Sequence, residues 1–183
     1  MRFPKIALAA LGAAALAVPT FAAIKAMTLS ELMEVTNDAV HVKILEKSSF
    51  RADVPTQGVV WTKLKVQGES LRTGEPVNTE VVFQGSHDAA DNYGTSEMPT
   101  LQDTRVGGEA VIFYGKMESL PGQPNVAFNL AGVYRVEKGF GAPVVIGKGE
   151  GMAFAENVKL DDASKLIRKT HLELQAAKPA AGK

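Results

Sequence analysis

The chain contains no cysteine. That excludes disulfides, thiolate metal sites, iron–sulfur clusters, cysteine nucleophiles and the acylated cysteine of a bacterial lipoprotein. It also lacks a charge excess, with 20 Lys and Arg against 20 Asp and Glu. Nucleic acid and anionic lipid surfaces attract proteins through a basic excess or a clustered basic face, so neither is expected as a partner. There is no Gly-x-Ser-x-Gly element to set a serine at a strained turn beside a histidine, and no internal repeat. The longest apolar run, Ile6 to Val18, is 13 residues, too short to cross about 30 Å of hydrocarbon as a helix.

That run follows Arg2 and Lys5 and ends on Pro19, Thr20, Phe21 and Ala22, the pattern of a cleaved secretory signal over residues 1–22, which leaves no stable membrane anchor. Removing it takes two positive charges, so the remaining 161 residues carry 18 Lys and Arg against 20 acids. That length fits one domain and buries about 70% of the unfolded chain's surface. Export without disulfides means that the core alone holds the fold. Bacterial periplasmic or secreted chains are commonly of this kind, and the expected location is the periplasm or the cell exterior.

Thr28 to Glu31 reads as a capping box, and Leu29, Leu32 and Met33 share one face of the short helix it starts. From Ala39 the period changes to two, with Val40, Val42 and Ile44 opposite His41, Lys43 and Leu45. Glu46 to Gly58 is polar. Val60 to Val66 and Val77 to Phe83 alternate again, Ala110 to Tyr114 is an apolar run that implies burial on both faces, Val126 to Val136 alternates, and Val144 to Ile146 is one more short strand. Asp161 and Asp162 open a terminal amphipathic helix bearing Leu166, Ile167, Thr170 and Leu174. The spacing predicts a mainly β domain over 23–160, a small, partly open antiparallel barrel, with the C-terminal helix over 161–175 and a flexible tail over 176–183.

Leu71-Arg72-Thr73-Gly74, Val81-Val82-Phe83-Gln84-Gly85, Met98-Pro99, Gly107-Gly108-Glu109 and Gly132-Val133-Tyr134-Arg135-Val136, taken with the first helix and strand, form a series. In that series the chain resembles a group of bacterial exported β-barrel proteins, and more distantly the netrin-type module, an OB-like barrel found in metalloprotease inhibitors. The resemblance covers about Thr28 to Gly151 and implies an OB-like barrel. It departs at Thr73-Gly74, where the group has lysine–glycine, and in lacking every cysteine of the netrin-type module, so no inhibitory residue carries over.

Ser86 to Asp103 is long and polar, either a working loop or a disordered excursion. Within it His87, Asp88 and Asp91 are candidates for a divalent ion, set against the plainer reading of a solvated loop; a structural zinc site wants four spaced ligands, and His41 and His171 lie elsewhere. Gly147-Lys148-Gly149-Glu150-Gly151 lacks the Lys-Ser or Lys-Thr and the helix of a phosphate loop, and reads as turn glycine. Trp61 and Tyr93 are candidates for a binding surface, with Trp61 read as outward among lysines, where it either stacks on a sugar or peptide or covers a neighbouring helix. No catalytic residue and no cofactor is expected. The sequence points to a non-catalytic exported binding or accessory module with a protein or envelope component as partner. The alternatives are an envelope-associated hydrolase or metal-dependent enzyme using the 86–103 loop, and a protease-inhibitor-like module.

Overall fold

A computed structural model describes residues 26–53, 57–91, 93–120, 122, 124–139 and 141–177. The leader read over residues 1–22 lies outside the described residues, as does the tail beyond Ala177.

The first helix, α1 (Leu29–Val35), begins where the capping box places it. Glu31 Oε2 accepts from the Thr28 amide at 2.8 Å, and the Thr28 hydroxyl accepts from the Glu31 amide at 3.4 Å. Two turns of helix are marginal in water. Here Leu29, Leu32 and Met33 are buried, and Arg72 donates to the carbonyls of Met33 and Thr36 at the other end. Burial pulls the Arg72 guanidinium below its ordinary value, against the opposing field of Asp38.

Five strands close a ring: β1 (Asp38–Ala52), β2 (Val59–Ser70), β3 (Pro76–Gln84), β4 (Glu109–Lys116) and β5 (Asn125–Ala127). The order around it is β1-β2-β3-β5-β4 and back to β1, the order of an OB-like barrel. The Asp38↔Tyr114 to Lys43↔Glu109 ladder makes the closure, and β3–β5 is the parallel pair. The fold is therefore the mainly β barrel with a short helix before it and a longer one after it that the spacing predicts, and its ring is closed. Val40, Val42, Ile44, Leu64, Val66, Val81, Phe83, Ala110 and Ile112 fill the interior.

The polar stretch after Ile44 continues as strand. A bulge between Ile44 and Glu46 shifts the register, and β1 runs on beside β2 to the Ala52↔Val59 pair. Apolar alternation is missing there because this arm extends past the barrel core. The β4 run is buried on both faces as expected: Ala110 and Ile112 point into the barrel, whereas Val111 and Phe113 lie under the helices.

The Val126 to Val136 alternation is not one strand. A 3-10 turn, Asn129–Gly132, divides β5 from β6 (Val133–Glu137), with Asn129 at φ 45°. Both halves pair with the same edge of β4, β5 near Tyr114 and β6 from Glu109 to Ile112. Gly132 permits the break, since a Cβ there would stand 2.9 Å from the Phe113 carbonyl oxygen.

β6 leads to β7 (Val144–Val145) and β8 (Val158–Lys159), and then to α2 (Leu160–Ala177). Ala163 and Ile167 of α2 join Leu32 and Met33 of α1 over Ala39, Val111, Phe113 and Tyr134 on the outside of the barrel. Tyr134 meets Phe154 edge-on at 5.2 Å between ring centres. Each such buried apolar side chain contributes about 1.5–3 kcal/mol.

Candidate functional site

The loop between β3 and β4 is built into the body. Gly85, at φ 105°, lets the chain turn out of β3 under Met98, and Met98 packs against the barrel interior. His87 Nε2 lies 2.7 Å from the Pro99 carbonyl, so that nitrogen carries the proton and donates. Asp88 Oδ1 accepts from the Ala90 amide at 2.9 Å in an Asx turn. Ser86 and then Ser49, with the Arg51 charge, hold the Asp91 carboxyl below the usual carboxylate range, although its buried Oδ2 has no well-aligned hydrogen-bond partner. Arg51 also donates to the Asp91 carbonyl at 3.2 Å. The three candidate ligands thus each hold a different part of the loop, and among the described residues no three His, Asp or Glu side chains converge to hold a metal ion.

Trp61 is 3% exposed. It lies on the outer side of β2 with Val59, Val82 and Leu120, flanked by Phe50, Tyr93, Met117 and Val126. The lysines beside it in sequence, Lys63 and Lys65, pair with Glu80 and Glu46 at 3.1 and 3.0 Å further along the sheet. The indole is therefore neither open to solvent nor under a helix: it is buried beneath the β4–β5 connection, because Leu120 and Met117 fold over the outer side of β2. Tyr93 is half-buried at its edge, its hydroxyl accepting from Gln84 Nε2 at 3.0 Å.

Among the concavities of the described residues, a small one of about 90 Å³ is lined by Ser49, Ser86, His87 and Asp88, and two roomier ones gather charged groups that the sequence did not mark as sites. The first is a groove of about 430 Å³ on the outer face where β1, β2 and β4 meet, lined by His41, Lys43, Gln67, Gly68, Glu69 and Glu109 among others. Register explains the grouping, because Lys43 stands between Gln67 and Glu109, and His41 between Glu69 and Val111. Gly68 is the floor. A Cβ there would stand 1.9 Å from the His41 carbonyl oxygen, so only glycine lets the two strands approach this closely. His41 Nε2 and Glu109 Oε2 are 3.1 Å apart, and Lys138 reaches Glu109 from the other side. Burial works to raise Glu109, but the Lys138 and His41 hydrogen bonds win and hold its carboxyl below the usual range. By contrast the side chains of Lys43 and Glu69 are exposed and make no hydrogen bond or ion pair with another described residue.

The second is a cleft of about 350 Å³ between the end of the long loop, the 3-10 turn, β6 and the β7–β8 connection. Lys148 Nζ lies 3.0 Å from Asp103 Oδ2, 2.9 Å from the Leu130 carbonyl and 5.2 Å from the centre of the Tyr134 ring. Asp103 and Lys148 are 6% and 13% exposed, and burial pulls the Lys148 ammonium below its ordinary value although Asp103 opposes the shift. Burial also pushes the Tyr134 phenol up to about 12, against the Phe154 and Ala153 amides, neither of which makes a well-aligned hydrogen bond to it. No family model, curated protein or solved structure matches this chain.

The glycines around Lys148 form the predicted turn. Lys148 and Gly149 donate their amides to the carbonyls of Phe154 and Ala155 at 2.9 and 3.0 Å, and Gly147 donates to Asn157 Oδ1 at 3.0 Å. Those three amides are spent within the β7–β8 connection, and no helix follows directly to add the dipole of a phosphate cradle. A lysine flanked by glycines was the visible signal; that it would find an acid 45 residues earlier was not.

Proposed function

We propose that this chain is an exported, non-catalytic binding module that recognises a protein or envelope component through the groove at His41, Lys43, Glu69 and Glu109. One observation carries the reading: a backbone-floored groove whose internal charges are already paired, rimmed by Lys43 and Glu69, which are not. Unpaired rim charges of opposite sign specify register and speed encounter with a complementary surface. The reactive groups of the 86–103 loop are engaged in holding that loop, which favours binding over its use as a catalytic centre. Export rests on the leader read from residues 1–22.

The test is affinity capture from the source periplasm with the processed chain and with K43E/E69K. Both positions are exposed, so the reversal leaves the fold alone. A partner held by the parent and lost by the double variant supports the assignment. Equal capture by both, or turnover on a broad substrate panel that requires His87, overturns it.

A further inference from the structure

We infer that the cleft beside Lys148 is a second binding site, and that it takes a small monocarboxylic acid with an apolar tail. Its walls are half-buried Leu130, Ile146 and Met152, brought together from the 3-10 turn and the two ends of the glycine-rich connection. Its polar side holds two cations, Lys148 and Arg135, and one acid, Asp103. Lys148 is fully engaged by Asp103, the Leu130 carbonyl and the Tyr134 ring. Arg135 is not. Its buried Nε makes no hydrogen bond, and its one ion-pair partner among the described residues is Glu137, two residues on and 53% exposed, at 3.4 Å without hydrogen-bond alignment.

A half-buried guanidinium lacking hydrogen bonds, beside an apolar wall, has the chemistry of a carboxylate clamp. With Nε buried beside Glu137, the fork of the two Nη groups is the end that can match two carboxylate oxygens, and a charge-assisted pair of that geometry is about twice as strong as a neutral hydrogen bond. Asp103 shares the cleft, so a monoanion is accommodated more readily than a phosphate dianion, whose second charge would meet that carboxylate. The ligand's tail then runs over Leu130, Ile146 and Met152, where each methylene removed from water tightens binding by about fourfold. This site is separate from the groove at His41 and stands whether or not a macromolecule binds there.

The experiment is a methyl and amide chemical-shift titration of the processed chain with octanoate, butanoate, octanol and inorganic phosphate. Octanoate is expected to bind with a Kd of about 1 mM or tighter, the scale set by its ten or so heavy atoms. The shifts should centre on the Met152 and Ile146 methyls. Butanoate and octanol should each bind at least about tenfold more weakly, having lost the tail or the charge. Arg135→Met should cost about tenfold or more, and Arg135→Lys, which keeps the charge and loses the fork, should fall between the two. Saturation at the Arg135→Met variant equal to the parent, octanol binding as well as octanoate, phosphate binding as tightly as octanoate, or no movement of the Met152 and Ile146 methyls would each overturn the assignment. Should Arg135→Met fail to fold, the Arg135→Lys titration and the location of the shifts decide.

Discussion

Replacing Lys148 by methionine keeps the length and apolar stem of the side chain and removes its charge, which leaves Asp103, 6% exposed, without the cation it is paired to. A buried ion pair adds little over a well-packed apolar pair, but breaking one partner strands the other, at a cost of about 3–5 kcal/mol. The loss here is larger than one contact, because Lys148 joins three separate stretches of chain: the end of the β3–β4 loop at Asp103, the 3-10 turn at Leu130 and β6 at Tyr134. For a domain of this size each kcal/mol moves Tm by roughly 2–4 °C, so K148M should melt about 10 °C below the parent. Removing both charges in D103L/K148M restores electrical neutrality, and this double variant should recover more than half of that loss. Urea unfolding of the parent, K148M, D103L and the double variant, followed by near-ultraviolet circular dichroism, measures the cycle. Single variants within about 1 kcal/mol of the parent, or losses that simply add in the double variant, would refute the idea that the pair acts as a unit.

The Tyr134 oxygen is buried without a well-aligned partner, so Y134F should leave the urea midpoint unchanged or raise it slightly; a drop above about 1 kcal/mol would show a hydrogen bond that the geometry does not reveal. Gly68→Ala places a methyl 1.9 Å from the His41 carbonyl oxygen and should cost about 3 kcal/mol in thermal unfolding, with the β1–β2 ladder as the first amide protection to fall. Glu109 has a folded-state value below its ordinary 4.5, so it contributes stability above that pH which disappears as pH drops through the lower folded value. Measured from about pH 6 down to about pH 3, the stability gap between the parent and E109Q should therefore narrow; a gap that stays constant would mean that Glu109 is not paired in solution.

Much of the fold was written in local periodicity. The capping box at Thr28, the two-residue alternation of Val60 to Val66, the doubly buried Ala110 to Tyr114 run and the Ile167, Thr170 and Leu174 side of α2 each follow from which face a side chain must present to the core, whereas Leu166, expected on that side, is 43% exposed and Ala163 takes the buried place. The candidate site was much less legible. His87, Asp88 and Asp91 are close in sequence, yet each is drawn off by a different neighbour, Pro99, Ala90, and Ser49 with Ser86. Trp61 sits among lysines along the chain and beneath Leu120 in space.

By itself the sequence determined the exclusion of thiol chemistry, the strand faces and the two flanking helices, because those depend on composition and on spacings of two to four residues. Tertiary structure alone decided that β4 closes the ring against β1, that the Val126 to Val136 stretch breaks at Asn129–Gly132, and that Lys148 meets Asp103 while Arg135 is left with an unsatisfied donor. The physical reason is reach. Periodicity records which way each side chain points, whereas partners 18, 45 or more residues away are chosen by backbone hydrogen bonding and steric fit between strands, which no local spacing encodes.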